Sequence, residues 1–375
     1  ELTAARFQLR QEPSNTSPEM VEKLIFPSAQ NSMIVFVDGV YMEHLSNISS
    51  IRGQVDVRTL GQAFIQTPTL KDDVLNNSIA EKDPFANLNA AFVVNGAYLR
   101  VKDGESLKAP VEVLFLTAEN NRVPLLASPR LYIEIGKGAK ADIIFKQTKE
   151  FGPHFSDAVI DIKAMAGCEA NLYNISLQKG PGWRFIKINV DQYAASKVKM
   201  IDVSTGAKIS RLNLDWKLRE AGAEMEIKSL ASLEGSAQNH CLARVTHQAP
   251  DCSSQLLFKN IINDASRSSV DGTVVVEAGA SGSFSRQLIN NLLLSDDGRA
   301  DNKPSLMIHA DEVQCSHGAT IGQLDDETLF YMMSRGLSRA EAAKALTNGF
   351  AREITGSITE PYVAAVVVEA ILNRL

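Results

Sequence analysis

Between about residues 100 and 310, apolar and polar side chains alternate in short runs such as Tyr132-Ile133-Glu134-Ile135, Val159-Ile160-Asp161-Ile162, Glu226-Ile227-Lys228 and Thr273-Val274-Val275-Val276. Alternation at a period of two marks strands with one buried face, and patterns of helical length nearly vanish here. A small or turn-forming residue precedes each strand, at Pro110, Gly138, Gly167, Ala195, Gly222, Pro250 and Gly279, in steps of 28, 29, 28, 27, 28 and 29 residues. Comparable text follows each anchor, as in Gly138-Ala139-Lys140-Ala141-Asp142-Ile143 and Gly222-Ala223-Glu224-Met225-Glu226-Ile227. A unit of that length holds two or three strands with their turns. It cannot bury its own apolar face, so successive units must stack. The expected fold is mainly β, a β-solenoid, with a sandwich of regularly spaced hairpins as the alternative.

The flanks read differently. Residues 1–30 hold two proline-containing polar stretches and read as a loosely packed arm with one short helix near Met20 to Leu24. The chain opens at Glu1 without Met, so a truncated helical region is one reading of this arm, and whether a segment precedes it stays open. Met33 to Val37, Asp38-Gly39 and Val40-Tyr41 spell a hairpin, and Phe92 to Leu99 repeats that pattern around Asn95-Gly96. Leu60 to Ile65 and Leu70 to Leu88 have helical spacing. The tail is helical as well. Asp325 caps one helix that ends at Gly336, Ser338 and Glu341 form a capping box for a second, and Thr359-Glu360-Pro361 opens a third. Three regions follow: an arm over 1–30, a β-rich body over 31–320 with its solenoid core from about 100, and a helical domain over 321–375.

Composition narrows the function. The 375 residues carry 38 basic and 44 acidic side chains, and a net charge of −6 offers no nucleic-acid footprint. No apolar run approaches the roughly 20 residues of a membrane span, and no signal segment opens the chain. Four cysteines without a Cys-x-x-Cys pair read as reduced thiols of a cytoplasmic protein. Neither a Gly-x-x-x-x-Gly-Lys-[Ser/Thr] loop nor a Gly-x-Gly-x-x-Gly turn is present, so any ATP must be hydrolysed by another subunit.

Cys315 and His317 are the residues whose pattern points to chemistry. Two apart on an extended segment, they face one way with Cα atoms about 6.5–7 Å apart, and His309 and Asp311 share that parity. Thiolate and imidazole suit zinc, iron or an iron–sulfur species, but two ligands cannot close a tetrahedral site. A buried cysteine beside a hydrogen-bonded histidine is the other reading. His240, Cys241, His247 and Cys252 match no zinc spacing and read as core or surface residues. Solenoids also serve as polysaccharide lyases and hydrolases, which need facing carboxylates. Asp191, Asp202, Asp264 and Asp271 are candidates only by being acidic.

The run from Ala310 through Cys315-Ser316-His317-Gly318-Ala319-Thr320 to Asp325, followed by Leu329-Phe330-Tyr331 and Ser334-Arg335-Gly336, resembles the C-terminal signature of the SufD family. These are subunits of the Suf iron–sulfur cluster assembly machinery. Cys252-Ser253-Ser254-Gln255 and the run Gln287 to Ser295 extend the resemblance over about residues 30 to 355. The related SufB subunit usually reads acidic where this chain has Cys315-Ser316-His317. The resemblance implies a right-handed parallel β-helix with flanking helical regions. It implies a non-catalytic scaffold without an intrinsic cofactor, a heterodimer with SufB, and attachment of the SufC ATPase to the tail. Leu329, Phe330, Tyr331, Arg335 and Phe350 are the expected docking residues. It further implies that a transient cluster assembles at the SufB interface, with a SufB cysteine and His317 among the groups involved and Cys315 as the accompanying position. Self-pairing of the isolated subunit stays open. The family's N-terminal helical region with its Trp-Tyr motif is not recognisable before residue 30. A polysaccharide-active β-helix enzyme remains the alternative function.

Overall fold

The structure is a computed structural model, and it describes residues 7–9, 13–80, 83–92, 95–117, 124–148, 154–177 and 180–372. The N-terminal region contributes β1 (Gln8–Leu9), α1 (Pro18–Glu22), the hairpin β2 (Met33–Val37) and β3 (Val40–Tyr41), and β4 (Val55–Thr59). Helices α2 (Leu60–Gln66), α3 (Pro68–Ala80) and α4 (Pro84–Ala90) precede β5 (Ala97–Val101). The solenoid continues through β6 (Val111–Leu116), β7 (Leu125–Ala127), β8 (Arg130–Ile135), β9 (Lys140–Thr148), β10 (His154–Ala164), β11 (Glu169–Ser176), β12 (Trp183–Gln192) and β13 (Lys197–Ser204). It ends with β14 (Ile209–Leu218), β15 (Glu224–Leu233), β16 (Gln238–His247), β17 (Ser253–Ile262), β18 (Arg267–Val276), β19 (Phe284–Leu293), β20 (Arg299–Ile308) and β21 (Gln314–Gly322). Helices α5 (Asp326–Ser334), α6 (Arg339–Thr355) and α7 (Pro361–Leu372) close the chain.

From β8 onward the chain alternates between two sheets and pairs each strand with the one two places on. One sheet runs β20-β18-β16-β14-β12-β10-β8-β5-β4, the other β21-β19-β17-β15-β13-β11-β9-β6-β2-β3. Pairing is parallel except between β2 and β3 and between β4 and β5. This is the parallel β-solenoid expected from the repeat. In register, Phe155 sits beside Trp183 and Trp183 beside Ile209, so identical positions of successive turns stack into columns.

The repeat has a backbone cause. Gly138, Gly167, Ala195 and Gly222 occupy the same corner with φ of 64°, 68°, 52° and 73°. Left-handed backbone suits glycine, and Ala195 holds it against the steric preference of its Cβ. In the later turns the left-handed residue is Asp251 (φ 57°) and then Gly282 (φ 73°), not the Pro250 and Gly279 that the spacing picks out. Proline cannot take a positive φ, and the corner lengthens where Ala280 turns into the core.

Two further differences have physical reasons. The second hairpin, around Asn95-Gly96, does not form: β5 pairs antiparallel with β4, while Val93 and Val94 lie outside the described residues. Gly96 is required instead for close approach, since a Cβ there would collide with Arg130 O. Described residues of the arm make specific contacts with the solenoid. Phe7 packs on Phe155 and Trp183 with ring centroids 5.6 Å away in each case, and Phe26 N donates to Glu112 Oε2 at 2.8 Å.

Inside, aliphatic columns make the main core, with Trp216 its largest wholly buried side chain. Outside, α6 and α7 lay Ala351, Ile354, Val363, Val367 and Ile371 on Ile144, Tyr173, Ile201, Leu230 and Leu257 of the second sheet. That burial holds the valine-rich α7 helical despite its β-branched residues. The caps at Asp325 and Ser338 form as the sequence predicts. No helix among the described residues is long and apolar enough to cross a membrane.

One inward column is polar at its centre. Asp202 is buried, accepts from Asn174 Nδ2 and Ser229 Oγ at 2.7 Å each, and has its carboxyl pushed up from 3.8 to about 6 by burial. A folded-state pKa above the unfolded one gives stability that is full below about 3.8 and lost as pH rises through about 6. The loss is on the order of 3 kcal/mol. We therefore expect Asp202→Asn to raise the melting temperature at pH 8 and to change it little at pH 4. Equal destabilisation at both pH values in a thermal melt series would contradict this.

Candidate functional site

The solenoid ends on an open turn. Among the described residues, β21 pairs only with β19 and β20 only with β18, so both strands leave their outer edges unpaired. Register fixes what faces inward. Cys315 pairs with Ser285, His317 with Gln287, Ala319 with Ile289 and Ile321 with Asn291. The four β19 partners are inward-facing and wholly or largely buried, so Cys315, His317, Ala319 and Ile321 point along the same face. With no further turn above them, His317 is exposed, Ile321 is 52% exposed and Ile308 at the end of β20 is 43% exposed. These side chains would be core in any other turn.

Cys315 is half-buried, and burial pushes its thiol above the ordinary range while the Ser285 backbone N–H pulls it back. The layer beneath is hydrogen-bonded. Ser285 Oγ accepts from Ser254 Oγ at 2.8 Å, and Ser254 Oγ lies 2.8 Å from Nε2 of the wholly buried His247. Desolvation holds His247 down to about 4, so it is a neutral ring. Among the described residues no group of three His, Cys, Asp or Glu side chains gathers to hold a metal ion. His309 and Asp311 do not extend the pair. They lie beyond the end of β20, and Glu312, with φ 56°, turns the corner before β21 begins. Strand parity does not carry across that corner.

The other candidates separate too. Cys241 and His247 both point inward from β16, six residues and about 20 Å apart, while His240 points outward with Nδ1 2.6 Å from Ser269 Oγ. Cys252 is buried, its thiol 3.4 Å from Glu220 O. Of the acids, Asp191 pairs with Arg219 at 2.7 Å and Asp271 with Lys303 at 3.2 Å. Asp264 accepts from Gly235 N, and Asp202 is internal. They form no facing carboxylate pair.

In the tail, Phe330 and Tyr331 are 74% and 58% exposed, and the Arg335 guanidinium lies 5.2 Å from the Tyr331 ring centre. Leu329 is buried. Phe350 packs toward the second sheet under Lys259, whose Nζ is 4.4 Å from the ring centre and donates to Phe350 O. Leu329 and Phe350 therefore face the helices' own supports. Sequence reasoning also passed over the layer under the terminal pair. Gln287 could be seen only as part of a matching run, and its place directly beneath His317 needs the register.

The class that the fold defines is a parallel β-solenoid with an open last turn and an outer helical module. Residues 115–350 match the family described as SUF system FeS cluster assembly, SufBD core domain, and the chain belongs to that family. It is 28% identical over 354 residues to an iron–sulfur cluster assembly SufBD family protein of Synechocystis, covering 90% of this chain and 76% of that protein. It is 26% identical over 350 residues to the iron–sulfur cluster assembly protein SufD of Escherichia coli, covering 91% and 79%. A chloroplastic protein of Arabidopsis thaliana is 27% identical over 355 residues, covering 87% and 73%.

Proposed function

We propose that this chain is a SufD-type scaffold, working in the cytoplasm, that pairs with SufB through its open terminal turn and binds the SufC ATPase through its tail. The observation that carries this reading is the exposure of inward-facing side chains on the last turn, with Cys315 and His317 among them and no third possible ligand beside them among the described residues. In this reading a second solenoid end completes both the core and the site. The iron–sulfur cluster is cargo, assembled between the two chains and passed on. This chain turns nothing over by itself. Its groups position the cargo: His317 offers a ring nitrogen and Cys315 a thiol that the interface must first deprotonate.

The docking role falls to Phe330, Tyr331 and Arg335, while Leu329 and Phe350 hold the helices that present them. Removing the whole tail is not a clean test, because it would strip Tyr173, Ile201, Leu230 and Leu257 of their cover. Point variants separate the two surfaces. In co-purification with both partners, Ile308→Lys with Ile321→Lys is expected to lose SufB and retain SufC. Phe330→Ala with Tyr331→Ala is expected to lose SufC and retain SufB. Both pairs retaining both partners would refute the assignment of surfaces.

A further inference from the structure

We infer that Gln287 is a positioning residue for His317, its amide oxygen accepting the proton of one ring nitrogen and so fixing the tautomer that turns the other nitrogen outward. This inference rests on the proposed role of His317. The observation behind it is a break in one inward column. Ile143, Leu172, Met200, Ile227 and Leu256 occupy this position in five successive turns of the second sheet, and the next two residues of the column are Gln287 and His317. A polar residue therefore replaces an aliphatic one in the single turn that underlies His317.

Gln287 is wholly buried. Its Nε2 donates to Gly272 O at 3.2 Å, while its Oε1 has no hydrogen-bond partner among the described residues. A buried amide oxygen without a donor is destabilising, and leucine, as at 256 below, would avoid that cost. The opposite wall is also cut to fit. Gly272 points into the same space, and a Cβ there would overlap Gln287 Nε2. With Nε2 fixed by Gly272, Oε1 is the free end of the amide, one strand spacing of about 4.8 Å below the strand that carries His317. In this structure the exposed His317 ring is not bonded to Oε1, and the inferred bond forms when the ring turns down onto Gln287; the donor that matches Oε1 is a ring N–H. An imidazole that ligates through one nitrogen commonly donates through the other to a fixed acceptor, which sets its orientation and basicity.

The test uses the full chain labelled with nitrogen-15 histidine, with His317→Ala assigning the resonances. In the wild type, His317 is expected in one tautomer, and in Gln287→Leu in the mixture typical of a solvent-exposed ring. The leucine variant should melt no lower than wild type. In complex with SufB and SufC it should retain about 10-fold less iron, the usual cost of losing a ligand's hydrogen-bond acceptor. A purely structural glutamine predicts the reverse: a lower melting point and an unchanged tautomer. Identical tautomer populations in both proteins overturn the inference, and Gln287→Met repeats the measurement if the leucine variant does not fold. A His317→Ala complex that builds cluster normally would overturn the proposed function alone, leaving the tautomer result to judge Gln287.

Discussion

Arg130→Ala is expected to lower the free energy of unfolding by about 3–5 kcal/mol, the usual cost of removing one member of a buried ion pair. Arg130 is completely buried on β8, with its guanidinium bonded to Asp161 on β10. The same group donates to Asn89 Oδ1 at 3.4 Å and to Val74 O at 3.3 Å, tying α4 and α3 to the sheet. Asn89 in turn donates to Pro129 O and Asp157 O. Without the arginine, Asp161 would keep only the Asn189 amide at 2.8 Å as a compensating donor, in a site that is 4% exposed. The desolvation of that carboxylate dominates over the lost attraction. It follows that Arg130→Met combined with Asp161→Leu should recover most of the stability, since an apolar pair leaves no charge behind. Urea denaturation of the single and double variants decides this. A double variant as unstable as Arg130→Ala would mean that the helices, and not the charge, carry the effect.

Much of this architecture was legible in the text because its causes are local. The turn at Asp38-Gly39 needs two positive φ angles, and the sequence supplies the residues that tolerate them. The caps at Asp325 and Ser338 need only a side-chain oxygen three residues from an amide, so they appear in sequence as they do in space. The solenoid was legible through its corners, where Ala195 keeps the left-handed conformation that Gly138, Gly167 and Gly222 advertise. What stayed hidden depends on distant partners. Asn95-Gly96 reads as a hairpin turn until β4 is seen to take β5. His309 and Asp311 match Cys315 in parity until Glu312 turns the corner. Leu329 is the neighbour of Phe330 in the sequence but is buried where Phe330 is exposed, and Phe350, on the next helix, packs toward the second sheet. The candidate site was half legible. Cys315 and His317 could be found by residue type and spacing, whereas the polar layer of Ser254, Ser285 and Gln287 beneath them comes only from registers about thirty residues apart.

The second large effect concerns His317, and it bears on the central claim that the last turn is half of an assembly site. The ring is exposed, so Ala in its place removes the proposed ligand without opening a cavity. Folding and partner binding should be unchanged, which a melt and a co-purification establish first. The decisive measurement is then iron and acid-labile sulfide per complex, after co-expression with SufB and SufC, for the wild type and His317→Ala. We predict that the wild-type complex accumulates both, and that the variant complex, equal in composition, accumulates neither. Normal iron and sulfide in the variant complex would contradict the account.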